Sequence, residues 1–230
     1  MNFNLKLLID TETLPIIRDS GQRITLAKPV NADTTPSVVW LSIDPFASTD
    51  VSWEEQYGIY ASTTKVVDGA TISKLSETGV GAQDGATYTF TSGAVFNGPF
   101  PGGVPRGSYG AQNDMPSSLY PVLTFGLTQD ALVNQVAAKR KPLSATPVLA
   151  TQFAEITPFT IVFVWLQAQF RSETIITRIT GRNTKVRLGG GVNEATLKYN
   201  AELGVFVPVD SKGTFQKESA LATIDAPLLF

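Results

Sequence analysis

Thr87-Tyr88-Thr89-Phe90-Thr91 alternates strictly between ring and hydroxyl. Tyr88 and Phe90 point one way and three threonines the other, which is the period of two of a half-buried β-strand. Working outward, the same reading recurs. Val51, Trp53, Tyr57 and Ile59 share a face, with Ser52, Glu54 and Gln56 opposite. Leu123, Phe125 and Leu127 form another face. Leu197 with Tyr199, then Val205 with Val207, read as two strands joined through residues 200–204. The runs 38–43 and 159–166 are apolar on both faces, as in strands covered from both sides.

The 230 residues include 26 threonines, and 19 glycines and 14 prolines punctuate the short runs. This pattern predicts a single all-β domain over residues 1–230. The expected fold is an antiparallel β-sandwich of jelly-roll or Greek-key type, with about nine to eleven strands. One short helix is predicted from Thr128 to Lys141. Thr128 caps it, Leu132 and Val136 form its stripe, Lys139-Arg140-Lys141 complement its dipole and Pro142 stops it. A strand followed by a loop is the competing reading. Residues Gly93 to Pro121 show no periodicity and predict a long Gly/Pro-rich loop.

Cysteine and histidine are both absent. That excludes disulfides, thiolate nucleophiles, Cys/His zinc sites and Ser-His-Asp relays. No Asp-x-Asp-x-Asp-Gly loop marks a calcium site, and the glycine runs match no phosphate loop. No metal and no cofactor are expected. The 20 acids contain no signature that selects a catalytic pair, so the chain reads as a non-enzyme. Net charge is −2, which gives no electrostatic attraction to nucleic acid. Charge is nonetheless split, with net −5 over residues 1–115 and net +3 over residues 116–230. The N-terminal run is interrupted by Asp10 and does not read as a signal peptide. The longest apolar run, Phe159 to Leu166, is far short of the ~20 residues of a transmembrane segment. A cytoplasmic origin is the default expectation, with non-classical export open.

Three constellations could carry recognition. Around Trp53-Glu54-Glu55-Gln56-Tyr57, rings lie beside carboxylates and amides, the groups that stack on a pyranose and bond its hydroxyls. Glu55 shares a face with Trp53 and Tyr57, which marks it as a partly buried carboxylate. The Gly/Pro loop adds Arg106, Tyr109, Gln112, Asn113 and Asp114. Residues 174–188 read as a hairpin turning at Arg182-Asn183. Its buried face is Ile175, Ile179, Val186 and Leu188, and its outer face is Arg178, Thr180, Lys185 and Arg187. Arg178 would oppose Arg187, a repulsion that an anion relieves.

The aromatic-rich order of short strands loosely resembles soluble lectins and pore-forming sandwiches, with no motif that transfers a residue. The leading expectation is a lectin-like, non-enzymatic binding protein for carbohydrate or glycoconjugate. Its ligand-binding residues would be Trp53, Glu55, Tyr57, Tyr109 and Asn113, with Arg178, Lys185 and Arg187 binding anions. The alternatives are a self-assembling structural or storage protein, forming homo-oligomers, and a membrane-active toxin using segment 129–141.

Overall fold

A computed structural model describes residues 2–32, 35–210 and 222–225 of the chain. These residues form eighteen strands and one helix. The largest sheet runs, in spatial order, β17 (Val205–Pro208), β16 (Glu194–Asn200), β1 (Asn2–Leu8), β4 (Ser48–Glu54), β10 (Val122–Val133), β5 (Gly58–Ser62) and β6 (Lys74–Glu77). Strands β11 (Val136–Pro142) and β12 (Thr146–Leu149) also pair with β10. A second sheet runs β18 (Ala222–Asp225), β15 (Asn183–Arg187), β14 (Ile161–Gln167), β2 (Arg23–Ala27) and β3 (Leu41–Ile43). The third runs β13 (Phe153–Ile156), β9 (Tyr109–Asn113), β7 (Ala86–Phe90) and β8 (Phe96–Pro101). Pairing is antiparallel except for β1 with β16 and β7 with β9.

The sheets pack together as an all-β sandwich around a main core, with two smaller apolar clusters beside it. Inward residues of β1 (Leu5, Leu7), β4 (Val51, Trp53) and β10 (Phe125, Leu127) meet Ile24 and Leu26 of β2, Val162 and Val164 of β14, and Phe90 of β7. The alternation that marked Tyr88 and Phe90 as inward is the observed burial of β7. Strand β14 is covered on both faces, as its continuous apolar run implies. Its Ile161, Phe163 and Trp165 pack against Val39 and Ile176 on the side away from the main core.

Several expectations are corrected. The predicted helix from Thr128 to Lys141 is a β-hairpin, the end of β10 turning into β11. Asn134 and Gln135 have φ of 48° and 67°, the pair of left-handed residues that a two-residue hairpin turn requires. Leu132 and Val136 are four apart, which mimics a helical stripe, but they sit on opposite arms, with Leu132 facing Ala137 and Val133 facing Val136. The one α-helix among the described residues, α1 (Thr13–Asp19), lies elsewhere and buries Ile17. The Gly93–Pro121 stretch is not a structureless loop, because it contains β8 and β9. Strand count exceeds the expected range because many strands are only three to five residues long. Val38 and Val39 lie outside the strand that 38–43 predicted, and only Leu41–Ile43 forms β3. A bend at Glu55 and the irregular residues Gln56 and Tyr57 separate Trp53 on β4 from Ile59 on β5.

The 174–188 hairpin does not form. Strand β15 pairs with β14, placing Lys185 opposite Phe163 and Arg187 opposite Ile161. Residues before Asn183 run as a connection in which Ile175 and Ile176 are buried. Pairing with the long apolar β14 covers β15 more fully than a local turn would, so the non-local partner wins.

Candidate functional site

Three strands carry the same pattern. Ile24 and Leu26 face the core on β2, and Lys28 follows them in the same period. Val51 and Trp53 do so on β4, followed by Glu55. Phe125 and Leu127 do so on β10, followed by Gln129. Each polar residue thus continues an inward apolar face. The three meet where the large sheet approaches the other two.

Lys28 is 1% exposed and Gln129 is fully buried. The Lys28 Nζ donates to Glu55 Oε1 at 2.8 Å, to Gln129 Oε1 at 2.9 Å and to the Tyr57 hydroxyl at 3.4 Å. Trp40, Trp53 and Tyr57 present their rings to the same ammonium at 5.6, 5.5 and 5.4 Å from the centroids. Glu55 accepts from Trp53 Nε1 at 2.8 Å and from the Tyr57 hydroxyl. Gln129 Nε2 donates to the Glu54 carbonyl at 2.6 Å, which fixes the carboxamide plane.

Burial sets the electrostatics. It pushes the Lys28 ammonium below its ordinary pKa, and the Glu55 charge offsets only part of that. For Glu55, burial acts upward. The Lys28 cation and the hydrogen bonds from Lys28, Tyr57 and Trp53 outweigh it and hold the carboxyl below its usual range. Burial, then the Glu55 charge, raise the Tyr57 phenol. Tyr109, whose ring lies 5.6 Å from that of Tyr57, is pushed up to about 12 by burial and by the Asp84 and Glu55 charges.

The structure therefore brings together four of the five expected ligand residues: Trp53, Glu55, Tyr57 and Tyr109. Their rings face inward onto Lys28 and onto each other, so they offer no open stacking face. Asn113 lies apart and fully buried. It donates to the Val148 carbonyl at 2.9 Å and accepts from the Met115 amide at 3.2 Å, bracing a turn. Of the three expected anion-binding residues, Lys185 and the exposed Arg187 share the face of β15 that lies beside Phe163 and Ile161. Lys185 is buried with its Nζ 5.7 Å above the Phe163 ring, while Arg178 is exposed on the connection before β15. Lys28 and Gln129 were not singled out from the sequence. Their signal is a polar residue at the next position of an inward strand face, hidden in Gln129's case by the helical reading.

An open cleft of about 370 Å³ lies beside this cluster. Phe3, Trp53, Val80 and Leu132 line it together with Asn2, Ser52, Glu54, Gln56, Asp130 and Lys139. The register explains the mixture. Asn2 opposes Glu54, and Ser52 pairs with both Asn4 and Leu132, so polar residues of three neighbouring strands share the outer face. Among the described residues no cluster of acids is placed to hold a metal, and no helix is long and apolar enough to cross a membrane. Compared with family models, with curated proteins and with solved structures, the chain matches none.

Proposed function

We propose that the protein is a non-enzymatic binding protein whose ligand is a carbohydrate or glycoconjugate, seated in the cleft beside Trp53. The cleft itself carries this reading. Its volume is in the range of small-ligand sites, and it pairs apolar walls with convergent polar groups. Leu132 and Val80 suit the C–H face of a sugar. The carboxylates of Glu54 and Asp130, the amides of Asn2 and Gln56 and the Lys139 ammonium suit its hydroxyls.

A glycan array followed by titration calorimetry tests this, with expected binding to at least one neutral, acidic or sulfated glycan. Leu132→Arg fills the cleft from an exposed position and is expected to raise Kd tenfold or more, about 1.4 kcal/mol. No binding to any of the three glycan classes ends the reading. Hydrolysis of a bound glycan ends its non-enzymatic part.

A second reading, self-assembly through copies of this chain, is favoured by one observation. Val122 and Leu149 oppose each other across β10 and β12, and both are well exposed, with Tyr120 and Phe153 exposed nearby in the chain. Leu149→Glu is expected to leave a monomer where the wild type is larger by analytical ultracentrifugation. A wild type that is monomeric at high concentration removes this reading.

A further inference from the structure

We propose that Lys28 and Gln129 join through an intramolecular amide bond, with Glu55 relaying the protons. The geometry supplies every participant. The Lys28 nitrogen hydrogen-bonds to the Gln129 carboxamide oxygen at 2.9 Å, so the carbonyl carbon is the next atom beyond it. The same nitrogen contacts Glu55 Oε1 at 2.8 Å. The carboxamide is held by the Glu54 carbonyl, and the carboxylate by Trp53 and Tyr57. Reactants locked in this way gain the advantage of intramolecular reaction, and burial keeps water from competing. Burial also lowers the cost of the neutral amine that must attack.

The step balances without any outside reagent. Glu55 takes one proton from the Lys28 ammonium, and the freed lone pair attacks Cδ of Gln129 to form a carbon–nitrogen bond. Glu55 delivers its proton to Nε2 and accepts the second proton from the attacking nitrogen. The Cδ–Nε2 bond then breaks, the carbonyl re-forms, and ammonia leaves with that second proton as ammonium. Glu55 ends as a carboxylate, and the one remaining N–H of the new amide faces it. A buried cation has become a neutral amide. The bond ties β2 of one sheet to β10 of another, which is the work a disulfide would do in a chain that has no cysteine.

Intact-protein mass spectrometry of the full chain tests the proposal, allowing for removal of Met1. The wild type is expected to be lighter than its sequence by one ammonia. Tandem spectra of a digest are expected to contain a branched peptide joining Lys28 to Gln129. Lys28→Met, Gln129→Met and Glu55→Gln are expected at full sequence mass. A wild type that stays at full mass after prolonged incubation at neutral pH overturns the proposal. So does an ammonia loss mapped elsewhere, for example to Asn97 before Gly98. No glycan enters this test, so its outcome is independent of the carbohydrate reading.

Discussion

Glu55→Gln is expected to lower the unfolding free energy by about 3–5 kcal/mol, read by urea denaturation at neutral pH. The substitution keeps size and shape but removes the charge facing Lys28. The ammonium is then left 1% exposed with no counter-ion. It can escape only by losing its proton, which burial already favours. The direction does not depend on whether the wild type has joined Lys28 to Gln129, since the variant keeps a free amine in either case. Adding Lys28→Met to Glu55→Gln is expected to recover much of the loss, because an apolar side chain replaces the stranded charge. A loss within about 0.5 kcal/mol, the size of an ordinary surface change, would show that the pair does not govern stability.

The pair also predicts an acid limb. In chains whose Lys28 is free, the folded-state pKa of Glu55 is depressed below its unfolded value. The stability it contributes is therefore present above the unfolded carboxylate value of about 4.3 and is lost as pH falls through the lower folded value. The glutamine variant lacks this component, so its stability should change less over the same interval.

Gly126→Ala is expected to be as damaging, for a steric rather than an electrostatic reason. A Cβ at Gly126 would stand 1.9 Å from the Ser144 carbonyl oxygen and 2.6 Å from Cε1 of Tyr60. Neither neighbour can give way. Gly126 is paired with Tyr60 across β5, and the Tyr60 hydroxyl donates to that same Ser144 oxygen at 2.6 Å. The Leu143 amide donates to the Leu127 carbonyl at 2.8 Å, and the Leu127 amide to Ser144 Oγ at 3.1 Å. The expected cost is about 3 kcal/mol or more, seen as a lowered Tm by circular dichroism or as failure to accumulate folded protein. Gly93→Ala is the control. Its nearest neighbours are at 3.8 and 3.9 Å with no positive φ, and a change within about 0.5 kcal/mol is expected.

Strand identity was legible wherever alternation or a continuous apolar run was long enough to be unambiguous, as at β7, β14 and the paired β16 and β17. It failed where two periods fit the same letters. Leu132 and Val136 satisfy a helical stripe, and only the left-handed backbone at Asn134-Gln135 reveals the turn between them. The basic hairpin failed for a different cause. Its register was sound as local reasoning, but the partner of β15 is β14, some twenty residues earlier, and local periodicity cannot name a distant partner. At the site, Glu55 beside Trp53 and Tyr57 was readable because a carboxylate sat in phase with two rings. Lys28 and Gln129 needed the third dimension, since 101 residues separate them in the chain.

The parallel pairing of Asn4 through Leu8 with Glu194 through Lys198 has a consequence for the order of synthesis. One side of the first strand finds its neighbour once β4 has left the ribosome. The other side must wait for a segment made nearly two hundred residues after it, and until then it presents free amide and carbonyl groups to any other emerging polypeptide. Crowded polysomes should therefore be a hazardous setting for this molecule, and nascent-chain holding factors a natural protection.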